Sequence, residues 1–144
     1  MIRHAGLIAR RVGGLWRGVL IEGPSGAGKS DLALRALDHG FRLVADDRVQ
    51  VWVDAGRLYG RAPEVLHGLL EVRGVGVTPV AALAFCEITM LARLAAPERM
   101  PDSATEAILG LDVPLLSVDP FETSAPAKLS RAMESFDAAH KRRI

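Results

Sequence analysis

Val19-Leu20-Ile21-Glu22-Gly23-Pro24-Ser25-Gly26-Ala27-Gly28-Lys29-Ser30-Asp31-Leu32 decides the fold. Within it, Gly23 to Ser30 reads G-x-x-x-x-G-K-S, between an apolar β-rich run and a segment of helical periodicity, the context that a P-loop requires. Glycines let successive backbone N–H groups turn toward one point, the helix N-terminus adds partial positive charge, and phosphate oxygens satisfy donors that otherwise have no partner. Gly23, Pro24, Ser25, Gly26, Ala27, Gly28, Lys29 and Ser30 are therefore the expected nucleotide-binding set. Lys29 is expected at the β and γ phosphates and the Ser30 hydroxyl on Mg²⁺.

Upstream, residues 6 to 12 and 17 to 22 read as two strands turned at Gly13-Gly14. Downstream, Leu32/Ala36 and Ala33/Leu37 repeat four apart over residues 31 to 39, a helix that Gly40 should stop. Leu43-Val44-Ala45 and the alternating Val49, Val51 and Val53 read as strands, the second turning through Asp54-Ala55-Gly56 into Arg57-Leu58-Tyr59. A short helix is expected after Pro63. Residues 69 to 77 suggest a strand breaking into a tight loop. A strand is expected over 83 to 94, a loop over 97 to 103, a last strand or pair over 106 to 118, and a helix from Ala125. In its last turn or tail, His140, Lys141, Arg142 and Arg143 complement the helix dipole.

Asp46-Asp47 closes a strand beside the P-loop helix. Adjacent carboxylates repel, and a chain tolerates this where a cation, a proton or water offsets the repulsion. In a phosphoryl-transfer site one takes the proton of an acceptor hydroxyl, and the other holds Mg²⁺ or positions the first; as a plain turn, the pair would simply be solvated. Glu71 and Arg73, two apart on a strand, share a face. Either they form a surface arrangement, or Glu71 is a metal-side carboxylate and Arg73 a phosphate clamp, with Gly74 and Gly76 admitting close substrate approach.

Bulk properties bound the rest. The chain has 144 residues, 49% hydrophobic, enough for one domain with its own core and little room for a second. With 18 Lys and Arg against 17 Asp and Glu, no global basic field gathers nucleic acid, so anion binding must be local. The single cysteine, Cys86, suits a reducing cytoplasm. No window reaches the roughly 20 apolar residues of a membrane span, and the four histidines lack metal-ligand spacing.

Taken in order, Gly23 to Ser30, then Phe41-Arg42-Leu43-Val44-Ala45-Asp46-Asp47-Arg48-Val49, then Leu69-Leu70-Glu71-Val72-Arg73-Gly74-Val75-Gly76 resembles the catalytic domain of the HPr kinase/phosphorylase family, over about residues 4 to 80. The two later stretches are far more particular than the P-loop. The resemblance implies an α/β P-loop domain similar to the phosphoenolpyruvate carboxykinase core, a central β-sheet with flanking helices. It implies an ATP- and Mg²⁺-dependent kinase, with ATP or pyrophosphate as phosphoryl donor, acting on a serine of the phosphocarrier HPr. It also implies a phosphorylase that removes the group with inorganic phosphate.

By resemblance, Lys29 is the catalytic lysine, Ser30 and Glu71 are Mg²⁺ ligands, and Asp46-Asp47 supply the proton acceptor, Asp47 being favoured. His4 matches the family's catalytic histidine across a hairpin a few residues longer here, and Arg99 is the candidate for a later family arginine. The segment from Ala125 to Arg131 falls where the family contacts its substrate. The family's N-terminal domain has no counterpart here, so residues 1 to 144 are expected to form the catalytic domain alone. The form is similar to short proteobacterial versions whose partner is HPr or a nitrogen-branch phosphocarrier, with homo-oligomers compatible. Two rivals stand beside it: a small-molecule kinase, and a nucleotide-sensing module that transfers nothing, against which the Asp46-Asp47 pair argues.

Overall fold

β2 (Gly6–Val12) turns through Gly13 and Gly14 into β3 (Leu15–Glu22), and on this hairpin the phosphate loop is mounted. In the computed structural model, which describes residues 1–140 and side chains through Phe136, both turn glycines have positive φ, 61° and 82°. A two-residue hairpin turn of this kind demands that conformation, which glycine adopts without strain.

β3 lies between β2, antiparallel, and β9 (Cys86–Leu94), parallel. Covered on both faces, it carries a continuous apolar run: Val19, Leu20 and Ile21 are each 0% exposed. The large sheet runs β1 (Ile2–His4), β5 (Arg48–Asp54), β6 (Arg57–Arg61), β9, β3, β2, β4 (Arg42–Ala45). β9 changes neighbour along its length. It pairs with β6 at Cys86 and Glu87, and with β11 (Leu111–Val118) from Leu91 to Leu94; β11 in turn carries β10 (Ala104–Ile108).

Both helices, α1 (Lys29–Leu37) and α2 (Ala125–His140), pack on one face of the sheet. Leu32, Ala33, Ala36, Leu129, Met133 and Phe136 meet Ile8, Val19, Ile21, Met90 and Ala92 there. The alternate residues Leu7, Ala9, Leu20 and Leu91 point to the opposite face, where Val49, Val51, Leu58, Ile108 and Val113 cover them. Strands, not helices, therefore close that side. Each fully buried Leu, Ile or Val contributes about 1.5–3 kcal/mol relative to exposure, so the two layers hold the hairpin from above and below.

Two expectations change in detail, and one element is new. The helix after Pro63 is a single 3-10 turn, Glu64–Leu66. The strand expected over 69 to 77 is a hairpin, β7 (Leu69–Val72) and β8 (Gly76–Pro79), because Gly74 and Gly76 both take positive φ. Ile2–His4 is itself a strand, paired with Gln50 to Arg48, and is too short to show periodicity. Among the described residues no helix is long and apolar enough to cross a membrane. The basic cluster Lys141 to Arg143 and the side chain of His140 lie outside the described residues.

Gly18 pairs with Ile88 across β3–β9, and a β-carbon there would stand 2.5 Å from Cys86 Sγ and 2.9 Å from the Glu87 carbonyl. Gly18→Ala should therefore destabilise by about 1–3 kcal/mol, read as a lower denaturant midpoint at unchanged slope; an unchanged midpoint would contradict this packing. The Cys86 thiol is pushed up to about 12, by burial first and then by the charge of Glu87. It should resist alkylation at pH 8 in the native protein and react once the chain is unfolded.

Candidate active site

β3 ends at Glu22 and α1 begins at Lys29, so Gly23 to Gly28 must cross from sheet to helix in a very short span. Gly26 at φ 81° and Gly28 at φ 102° allow the crossing. The Ala27 N–H donates to the Pro24 carbonyl (3.0 Å) and the Leu32 N–H to the Gly28 carbonyl (2.9 Å). Gly28 caps α1 without a side-chain hydrogen bond, so the first-turn N–H donors and the positive end of the dipole face the loop. Lys29 Nζ donates to the carbonyls of Gly23 (2.7 Å) and Pro24 (3.2 Å), which holds the ammonium over the loop. An ammonium has three donors, so one remains for an anion.

β4 returns beside this helix and delivers Asp46. The Ser30 hydroxyl donates to Asp46 Oδ1 at 2.8 Å, and the Glu71 backbone N–H donates to Oδ2 at 2.9 Å. One carboxylate thus ties together the start of α1, the end of β4 and the β7–β8 hairpin. Asp47 is its opposite. The Arg48 N–H donates to the Asp46 carbonyl across it (2.8 Å), and Asp47 itself takes φ 71°. A bond from i to i+2 with positive φ at the centre is a γ-turn of the rare, strained kind. Its side chain is 66% exposed, with the Arg48 guanidinium 3.9 Å away.

A cavity of about 500 Å³ gathers Ser25, Gly26, Gly28, Lys29 and Ser30 of the loop with Asp47, Glu71 and Arg73. Arg73 arrives by a route other than the shared strand face: β7 stops at Val72, and the hairpin turn carries Arg73 to the cavity. A β-carbon on Gly74 or Gly76 would meet nothing within 4 Å, so their positive φ, 83° and 125°, is what the turn requires, and the space around them is open. Asp31, Leu34 and Phe121 also line the cavity; none belongs to a motif, and Phe121 is far from the others in sequence.

His4 lies elsewhere around the loop. It pairs with Arg48, and the next N–H, of Ala5, donates to the Asp47 carbonyl at 3.0 Å, so its backbone adjoins the γ-turn. Its side chain lines a second cavity, of about 450 Å³, with Glu22, Gly23, Pro24 and Arg93. Beside it four charges interlock: Arg3 donates to Glu22 (2.6 Å) and Glu106 (3.1 Å), and Arg93 donates to Glu106 and lies 3.7 Å from Glu22. The hydrogen bond from Arg93 is the largest influence holding the Glu106 carboxyl below the usual carboxylate range. These pairs are partly solvated and stabilise weakly, but they fix the last residue before the loop. Sequence spacing gives no sign of them. Arg99 lines a third cavity, of about 680 Å³, between the 97 to 103 loop and α2.

The donor set suits a hard cation. The Ser30 hydroxyl donates its hydrogen bond to Asp46 and keeps its lone pairs, and Glu71 and Asp47 supply carboxylate oxygens. Among the described residues no three His, Cys, Asp or Glu side chains form a metal cage. Mg²⁺ ordinarily uses one or two protein oxygens and completes its shell from phosphate and water.

The family described as the HPr serine kinase C-terminal domain matches residues 11–123. The HPr kinase/phosphorylase of Streptococcus thermophilus (strain ATCC BAA-491 / LMD-9) is 55% identical over 67 residues, 46% of this chain and 22% of that protein. That of Clostridium perfringens (strain SM101 / Type A) is 52% identical over 66 residues, again 46% and 22%. The matched stretch thus spans about a fifth of these relatives' length. The solved HPr(Ser) kinase/phosphatase of Coxiella burnetii superposes with a TM-score of 0.76 at 28% identity, covering 91% of this chain and 92% of that one.

The γ-turn separates two roles by stability. Asp47→Gly removes the strain of a positive φ and should leave the thermal midpoint unchanged or stabilise by up to about 1 kcal/mol. Asp46→Ala strips two hydrogen bonds and should cost about 1–3 kcal/mol. A large loss in Asp47→Gly would mean that its carboxylate holds the fold together.

Proposed function

The chain belongs to the HPr serine kinase C-terminal domain family, and from that premise we propose that it is a kinase that transfers the γ-phosphoryl group of ATP to a serine of an HPr-type phosphocarrier. Residues 1 to 144 would act as one catalytic domain, in the cytoplasm, on HPr or a nitrogen-branch relative. The observation that carries the reading is the unequal Asp46-Asp47 pair. Both Asp46 oxygens are engaged, whereas Asp47 lines the same cavity as Lys29 and Ser30 with its carboxylate accessible. A nucleotide sensor needs the loop; only transfer needs a proton acceptor beside it.

The geometry supports the roles that the resemblance implies. The loop Gly23 to Ser30, through the N–H groups of residues such as Gly26, Gly28, Lys29 and Ser30, and the Lys29 ammonium would hold the phosphates of ATP, with Arg73 a further cation on the same cavity. Ser30 and Glu71 would hold Mg²⁺, which when bound neutralises phosphate charge. Asp46 positions the Ser30 hydroxyl. Asp47 would take the proton of the acceptor serine as its oxygen bonds to phosphorus and the bond to ADP breaks. In reverse, inorganic phosphate would attack phosphoserine, the bond to the serine oxygen would break, and Asp47 would return the proton, leaving serine and pyrophosphate. One carboxylate serves both reactions, because the group that takes the serine proton as the oxygen bonds to phosphorus can return it as that bond breaks. His4, on the strand side of the loop, would assist from the second cavity.

The test incubates the purified chain with γ-labelled ATP, Mg²⁺ and an HPr-type carrier, and locates the label by mass spectrometry. Phosphoserine on the carrier is expected, absent with Lys29→Ala. Asp47→Asn should slow transfer by about 10²–10⁴-fold while ATP still binds. Wild-type protein that binds ATP but labels no carrier would overturn the kinase reading.

A further inference from the structure

Phe121 leaves 74% of its surface exposed, yet its backbone is closely held. Asp119 begins a tight turn in which its Oδ1 accepts the Phe121 N–H (2.9 Å) and its carbonyl accepts the Glu122 N–H (3.3 Å). From α1, Arg35 donates to the carbonyl of Pro120 and to that of Glu122 (3.3 Å), gripping the chain on both sides of the phenylalanine. Arg35 is itself oriented by Asp31, one helical turn earlier, at 3.0 Å. The turn is thereby fastened to the helix that starts in the P-loop. The ring lies close beside the loop: a β-carbon built on Gly28 would stand 3.5 Å from its Cε1 and Cζ atoms. Among the described residues, the paired aromatic rings are Trp52, Tyr59 and Phe85, so the face of Phe121 stacks on no other ring.

Such an arrangement places a flat, ordered apolar surface beside a cradle for phosphate. Phe121 and Leu34 are the bulky apolar members of a cavity that otherwise presents Lys29, Asp31, Glu71 and Arg73. A ligand that is anionic at one end and flat and aromatic at the other matches both parts, and a nucleotide has that form. The nearness of the ring to Gly28 argues that whatever covers the ring is joined to the group held by the loop. We propose that Phe121 is the stacking platform for the base of the nucleotide whose phosphates occupy the P-loop, with Arg35 the positioning residue that holds it there. This rests on the reading of the loop as a nucleotide-phosphate site and adds where the base lies.

The experiment compares two ligands with the same phosphates, Mg²⁺-ATP and Mg²⁺-tripolyphosphate, titrated calorimetrically into the full chain. Phe121→Ala should weaken ATP about tenfold, the order expected for loss of one base–aromatic stack, and leave tripolyphosphate within about twofold. Phe121→Trp should keep ATP affinity, and its added emission, over that of Trp16 and Trp52, should be quenched by ATP and not by tripolyphosphate. Equal weakening of both ligands in Phe121→Ala would make the ring a prop for the loop and overturn the proposal, as would an unchanged ATP affinity. The loop reading fails separately: wild-type protein binding neither ligand, or Lys29→Ala binding both as well as wild type, would remove the nucleotide site and the platform with it. The ring being exposed, truncation leaves no core void, and matching thermal midpoints of the three proteins check that the fold is kept.

Discussion

The carboxylate of Asp46 is the constraint on which the site depends. Its two oxygens accept the Ser30 hydroxyl and the Glu71 amide, and these belong to two elements, α1 and the β7–β8 hairpin, that the core joins through Leu70 and Leu32. Ser30 rides on the helix that begins at the loop; Glu71 rides on a small hairpin outside the main sheet. A hydrogen bond to a charged acceptor is worth about 1.5–3 kcal/mol, so two of them suffice to dock a four-residue strand whose only fully buried side chain is Leu70. That dock adds to the burial of Leu70 in setting Glu71 and Arg73 relative to Lys29.

The neighbouring carboxylate is made available by the same arrangement. Because Asp46 is drawn inward, the chain must reverse at once to enter β5, and the reversal forces Asp47 into a left-handed conformation that side chains rarely adopt. Strain of this kind persists only where the surroundings over-determine it. Here they do: the Asp47 carbonyl is held by Ala5, the Asp46 carbonyl by Arg48, and Val49 is locked in the second core. The fold thus holds one acid in its hydrogen-bond network and leaves the next at the mouth of the cavity.

Much of this was legible because its signals are local. The P-loop lies within eight consecutive residues, α1 shows its period over nine, and the β2–β3 turn is written in two glycines. The parts that were not legible are those assembled from distant residues. Arg3, Glu22, Arg93 and Glu106 meet only because β1, β3, β9 and β10 converge at one end of the sheet. Phe121 comes beside the loop from the far end of the chain, its turn held by Asp119 and by Arg35 of α1. Sequence could name Asp46 and Asp47 as a working pair but left the assignment to a resemblance, since the difference between them lies in backbone dihedral and partners. Periodicity likewise said that Glu71 and Arg73 share a strand face, whereas a turn at Gly74 brings Arg73 in.

The position of β3 has a consequence for how the chain acquires its shape. One edge of β3 finds its partner at once, in β2, across the two-glycine turn. The other edge waits for β9, where Val19 pairs with Met90 and Ile21 with Ala92, after most of the intervening chain has been made. Until then Val19 to Ile21 present an unpaired, uncharged strand edge, the kind that recruits other chains. During synthesis the floor of the phosphate loop is therefore paired on one side long before the other, and through that interval its open edge is exposed to misassembly.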